Sequence, residues 1–295
     1  MSYDIYTGLL KAFDLPITEK HDIHFSYDNN NANFDLLKNK YPIETIAGDG
    51  EDFSKTVNLL HWVSEHIYHK GNYDGTIAHN SLDLLDYAYD KGSLFGINCM
   101  ALATILSECL LAIGLKARRV FLMPCSPYDG DNHVVTHVYI KELGKWVMFD
   151  PTFNAYIKNE QGMWQSLIEL RKLLADQKPV LFNDEAKYNG VLFTSENTKE
   201  NIEYFSKNMF YFQTHESSTF GHDDVIGEGK TSENRLITLC PKGYDPKSMQ
   251  LSNIDYRIRK YGKGDDPRIQ AWIENAKNEE YSYCSIDDFE GSPCL

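Results

Sequence analysis

Fifteen residues near the middle of the chain, CMALATILSECLLAI (99–113), are apolar nearly all round. A helix of that composition has almost no polar face to give to water, so it must be covered on most sides. Gly114 can close its C-terminus, and Lys116, Arg118 and Arg119 follow where the helix dipole favours cations. Directly afterwards the hydrophobic period changes to two. ARRVFLM (117–123), VVTHVYIKE (134–142) and WVMFDPT (146–152) read as strands, the last two joined by a tight turn around Leu143-Gly144-Lys145. A buried helix followed by at least three antiparallel strands, with helices and strands in runs, is an α+β pattern.

The chain can afford such a core: it has 295 residues, 42% of them hydrophobic and 24% charged. Its 29 basic and 43 acidic residues give a net charge of −14. That field repels a phosphate backbone or an anionic bilayer, so neither nucleic acid nor membrane is an expected partner. The first thirty residues lack a basic stretch and a long apolar run, and no signal peptide is visible. The nearly uncharged run from Cys99 to Leu115, about 17 residues, is short for a membrane helix. A cytoplasmic location is therefore expected. The six cysteines contain no Cys-x-x-Cys pair, which argues against a zinc knuckle or redox motif. Cys284 and Cys294 could bridge in an oxidising compartment. AGDGED (47–52) and YDGDN (128–132) lack the ligand spacing of a calcium loop and read as turns. No metal or cofactor is expected.

Elsewhere the periodicity is weaker. Val57, Leu60, Val63 and Ile67 mark a helix over 53–69, and Ser81 is the expected N-cap of another over 81–89. Helices are also expected at 165–175, 201–212 and 266–278, and a strand at 233–240. These signals leave an N-terminal extension (1–52) and a C-terminal region (156–295) without an assigned role on either side of a central core (53–155).

Chemistry concentrates on Cys99, at the start of the buried helix. A thiol there feels the partial positive charge and free N–H groups of the helix N-terminus, which favour the reactive thiolate. The same N–H groups can hold a developing oxyanion. Gly96 is expected to let a substrate backbone approach. The thiol needs a base, and the base an orienting group. His137 and Asp150 can supply them. A two-residue Leu143-Gly144 turn pairs His137 directly with Asp150. A Gly144-Lys145 turn pairs Asp150 with Tyr139, one diagonal step from His137. Either register puts imidazole and carboxylate on one face. His133 is a rival base, about 13 Å from His137 along an extended strand, and a loop role is expected for it. The 126–132 loop is expected to border the cleft. His61, His66 and His69 form no HExxH pattern and are expected on the surface or satisfied in the core. Cys109 and Trp62 read as core, and Trp146 as packing that fixes the hairpin.

GINCMALATILSECLLAIGLKARRV followed by THVYIKELGKWVMFDPT resembles the transglutaminase-like superfamily over roughly residues 53–155. The resemblance implies a papain-like α+β core, a buried helix packed on an antiparallel sheet, with extra N- and C-terminal elements. It also implies a Cys99–His137–Asp150 triad, with Trp146 and Asp150-Pro151-Thr152 closing the pattern. The implied activity is thiol acyl transfer on a peptide or protein substrate: hydrolysis through a thioester, or transfer to an amine. The chain departs from the family at Asn98, where the cross-linking enzymes have Gln, and no Trp matches their oxyanion donor. His79 or Asn80 stands at a similar place in order. With Asn98, His133 and Trp146 these are the candidates for oxyanion or substrate binding. Without a recognisable calcium site, hydrolysis is expected over cross-linking. The competing expectation is a non-catalytic peptide-binding module on the same fold. A peptide glycanase would bring zinc-binding Cys-x-x-Cys pairs, which the sequence lacks.

Overall fold

The computed structural model describes residues 3–17, 23–221, 235–262, 264–278 and 281–293. The chain opens with α1 (Tyr3–Ala12), a short strand β1 (Ser26–Tyr27), α2 (Ala32–Lys40), α3 (Ile43–Ala47) and the longer α4 (Asp52–His66). α5 (Ser81–Ala88) and α6 (Cys99–Ala112) follow. Asn80, rather than Ser81, caps α5: its side-chain oxygen accepts from Asp83 N at 2.9 Å. Asn98 does the same for α6, accepting from Ala101 N at 3.0 Å and satisfying one orphan donor of the first turn. Every residue of α6 from Ala101 to Ala112 is buried, as its all-round apolar character requires. Gly114 ends it with φ 91°, a conformation that costs other residues a Cβ clash.

The chain then forms β2 (Lys116–Met123), β3 (His133–Ile140), β4 (Lys145–Asp150) and β5 (Ala155–Lys158). Next come α7 (Leu167–Ala175), β6 (Leu181–Phe182), the hairpin β7 (Lys187–Tyr188) and β8 (Val191–Leu192), and α8 (Ser195–Asn208). The last part holds β9 (Tyr211–His215), β10 (Ser217–Ser218), β11 (Leu236–Leu239), α9 (Pro246–Tyr261), α10 (Pro267–Asn278), β12 (Ser282–Tyr283) and α11 (Ile286–Glu290). One eight-stranded sheet has the order β12-β11-β9-β2-β3-β4-β5-β6. β9, β11 and β12 thus extend the central β2-β3-β4 meander on its β2 side. All its pairs are antiparallel except β11 with β12.

Helices cover both faces of the sheet. On one face Val138, Ile140, Val147 and Phe149 share a core with Leu102, Ile105, Leu106 and Cys109 of α6. On the other, Val120, Leu122, Val135 and Met148 join Leu167, Leu170 and Leu174 of α7, Phe205 of α8 and Phe289 of α11. Each such side chain contributes about 1.5–3 kcal/mol by leaving water. Among the described residues no helix is long and apolar enough to cross a membrane. Cys284 is buried as a free thiol, and Cys294, its expected partner, lies outside the described residues.

The β3–β4 connection departs from the expected tight turn. Lys141–Leu143 form a 3-10 turn, closed by Gly144 in the left-handed region at φ 61°. Ile140 therefore opposes Lys145, and His137 opposes Met148 rather than Asp150. A four-residue connection uses two more residues than a two-residue turn, so each partner moves by two. An even slip preserves which side chains share a face, but it changes which of them meet.

Candidate active site

The chain path decides what meets at the end of the sheet. α6 runs away from its N-terminus, β2 returns, β3 leaves again and β4 returns. The start of α6, the start of β3 and the end of β4 therefore lie together, and they carry Cys99, His133 and Asp150. His133 Nε2 donates to Asp150 Oδ2 at 2.7 Å, and Asp150 Oδ1 accepts from Thr152 N at 2.9 Å. Both side chains are buried. Phe153, Tyr204 and Phe205 surround the His133 ring at 5.4–5.8 Å between centroids. With Nε2 committed to Asp150, Nδ1 is the nitrogen left to serve the thiol.

Burial raises the pKa of Cys99, but interaction with His133 and then His69 outweighs it and lowers the thiol to about 6. Burial lowers the pKa of His133, but the charge and hydrogen bond of Asp150, followed by Cys99, raise it to about 10. Each group stabilises the charged form of the other, which favours a thiolate–imidazolium pair. The N-terminus of α6 adds its partial positive charge to the thiolate.

His137 is not part of this arrangement, which corrects the expected triad. It stands four residues along β3 from His133, about 13 Å toward the middle of the sheet. Its ring lies against Trp146 and Phe289, with centroids 5.1 and 5.7 Å away, and its Nδ1 accepts from Arg118 Nη2 at 3.3 Å. Burial, then the charges of Arg118 and Lys145, hold its pKa well below the usual histidine range. The imidazole is neutral and built into the core.

Cys99 and His133 open into a cleft of about 610 Å³. Gly130, Asp131 and Asn132 of the 126–132 loop border it. α8 holds that loop in place: Lys207 pairs with Asp129 at 3.0 Å and Asp131 at 2.9 Å, and Tyr204 OH donates to Asn132 O at 3.2 Å. Asn197, Glu200, Asn201 and Tyr204, at helical spacing, turn one face of α8 to the cleft.

The other expected site residues fall in different places. Asn98 lines the cleft, but its side-chain oxygen is used in capping α6. His79 and Asn80 are not among the cleft-lining residues, and Asn80 is occupied with Asp83. Trp146 is buried away from the cleft and donates from Nε1 to Gly291 O at 3.0 Å, tying down the C-terminal segment. Gly96 serves the chain's own packing: a Cβ there would stand 2.8 Å from Lys70 Cβ and 3.0 Å from Tyr68 O. Cys109 is buried in α6, and burial pushes its pKa up. His69, expected to be surface or core, instead lines the cleft and acts on the thiol. No local pattern marks it, because the contact depends on a strand-like bridge between His69 and Ile97. Among the described residues no group of three or more His, Cys, Asp or Glu side chains is arranged to hold a metal ion.

Residues 39–151 match the family model of the transglutaminase-like superfamily. The matched segment carries Cys99, His133 and Asp150, and the mixed α+β fold is consistent with a transglutaminase-like core. No curated protein and no solved structure matched the chain.

Proposed function

We propose that the protein is a thiol acyl-transfer enzyme acting on peptide or amide bonds, with Cys99 as nucleophile, His133 as acid and base, and Asp150 as the orienting group. The observation that carries this reading is the Asp150-bound imidazole of His133 serving a thiol at a helix N-terminus inside an open cleft. Cys99 Sγ attacks the carbonyl carbon, and the C=O π pair moves onto oxygen. The pair returns as the C–N bond breaks, and His133 gives its proton to the leaving amine. A thioester remains on Cys99. Water, deprotonated by His133, then releases the acid. A primary amine in place of water gives transfer instead.

The first test needs no knowledge of the natural substrate. Iodoacetamide is expected to label Cys99 with a midpoint near pH 6, where an ordinary thiol is still protonated. Release of p-nitrophenolate from p-nitrophenyl acetate follows the same lower limb. Turnover of an amide substrate also falls above about pH 10, where His133 loses the proton it gives to the leaving group. Labelling of Cys99 no faster at pH 7 than that of half-buried Cys125 would instead support the non-catalytic binding module.

The cleft lining bears on the substrate. It contains the carboxylates Asp131 and Glu200 and no lysine or arginine. Asp131 is matched by Lys207, whereas exposed Glu200 forms no ion pair among the described residues. This balance favours a cationic group near the scissile bond, either a basic side chain or an acceptor amine. A Glu200→Lys variant is expected to reverse a preference of up to about fivefold for the p-nitrophenyl ester of N-acetyl-lysine over that of N-acetyl-glutamate, the scale of an exposed charge pair. Competition between water and a primary amine, followed by mass spectrometry of the products, separates hydrolysis from transfer. Hydrolysis is the expected dominant outcome.

A further inference from the structure

His69 helps lower the Cys99 pKa but is neither the base nor its orienting group, yet it is more firmly placed than a surface histidine needs to be. Its backbone bridges Ile97, two residues before Cys99, through Lys70 N to Ile97 O at 2.8 Å and Ile97 N to Tyr68 O at 3.0 Å. From the other side it is gripped by the turn between β7 and β8. His69 N donates to Asn189 Oδ1 at 2.8 Å, and Asn189 Nδ2 donates to His69 O at 3.1 Å. The ring Nδ1 lies 3.0 Å from Tyr188 OH. Nε2 is buried without a direct hydrogen-bond partner, although the ring is one of the two that lower the thiol pKa. His69 and Cys99 line the same cleft, so this buried nitrogen is placed to meet a group bound there.

The two histidines at the thiol differ in what holds them. His133 has a carboxylate behind it, which keeps an imidazolium stable. His69 has a phenol, and burial raises the pKa of Tyr188 so that it keeps its proton. A phenol donating to Nδ1 leaves the single proton of a neutral imidazole on Nε2, facing the reaction.

Resting on the thiol acyl reading above, we propose that His69 Nε2–H is the side-chain oxyanion donor of the site, that it acts with the Cys99 backbone N–H, and that Tyr188 fixes its tautomer. As Cys99 Sγ bonds to the carbonyl carbon, the π pair moves to oxygen and is met by both N–H groups. His69 keeps its proton throughout. When the pair re-forms the C=O bond, the leaving group departs with the proton of His133. The donor that the sequence lacks as a tryptophan is then supplied by a histidine, positioned by a hairpin from the C-terminal region.

The test compares two reactions of the same thiol in the full-length protein. Acylation by p-nitrophenyl acetate develops an oxyanion, and alkylation by iodoacetamide does not. Both are measured at pH 8, with Cys99→Ala as the blank. His69→Ala is expected to slow acylation by about 10²-fold while changing alkylation less than fivefold. His69→Gln, which keeps an N–H donor, recovers at least a tenth of the lost acylation rate. Tyr188→Phe gives an intermediate loss in acylation alone. Equal losses in both reactions, or no loss in either, overturn the proposal, as does a His69→Gln variant no better than His69→Ala. If wild-type Cys99 fails to react with iodoacetamide at all, the thiol reading itself fails, and that outcome is distinct from the others.

Discussion

Replacing His133 with alanine is expected to cut acyl transfer by about 10²–10⁴-fold, the usual contribution of a positioned acid–base group. The same variant moves the midpoint of Cys99 alkylation upward from near 6, because burial then acts on the thiol with less to oppose it. His137→Ala is expected to do neither. The His137 ring packs against Trp146 and Phe289 and accepts from Arg118, so its loss leaves a cavity and one more unsatisfied guanidinium proton. The expected result is about 2–3 kcal/mol of lost stability with the alkylation profile intact. Stopped-flow alkylation across pH, alongside thermal unfolding, separates the two variants. If His137→Ala shifts the thiol and His133→Ala does not, the site assignment is wrong.

Asp150→Asn is expected to lower turnover by about 10²–10⁴-fold with little change in folding. The amide keeps the shape of the carboxylate, and its oxygen still accepts from Thr152 N, the bond that now measures 2.9 Å. Its NH₂ then faces His133 Nε2, which must accept rather than donate. The neutral imidazole is driven to carry its proton on Nδ1, toward the thiol, and has no lone pair there with which to act as a base. Loss of the carboxylate charge also lets burial depress the His133 pKa, so the imidazolium is lost from its present limit near 10 downward. The alkaline limb of the amide rate profile should move to lower pH. An Asp150→Asn enzyme within tenfold of wild type, with an unchanged alkaline limb, would remove Asp150 from the mechanism.

The mistaken choice between His137 and His133 has an instructive origin. A turn of two residues would set His137 opposite Asp150 or one diagonal step away. The strand pattern around Leu143-Gly144-Lys145 does not reveal that Lys141–Leu143 curl into a 3-10 turn, which moves each pairing by two. Chain direction held better information. Cys99 begins α6, so after one return strand the residue brought to the same end of the sheet is the one at the start of β3, His133, rather than the one four residues into it. His69, Tyr188 and the cleft-facing side of α8 had no such signal. Their places depend on a backbone bridge, an Asn-Gly turn and a helix docked over a distant loop.

The helices expected at 165–175 and 266–278 have counterparts in α7 and α10, and the strand expected at 233–240 in β11, its positions 233–234 lying outside the described residues; the helix expected at 201–212 is α8 only to Asn208, having begun at Ser195, and Tyr211 and Phe212 belong to β9. What their sequences did not reveal is that β9, β11 and β12 would continue the core sheet and that α8 would supply one wall of the cleft.

By itself, the sequence determined the α+β class, the buried helix, its N-terminal thiol and the face shared by the histidines and Asp150. Those follow from periodicity and from the alternation of a strand, which are local and survive a slip of two residues. Which histidine meets Asp150, which one a distant hairpin holds beside the thiol, and what walls the cleft were settled only by the tertiary structure. These depend on turn length and on contacts across more than a hundred residues, where a shift of a few ångströms changes the partner of every polar atom.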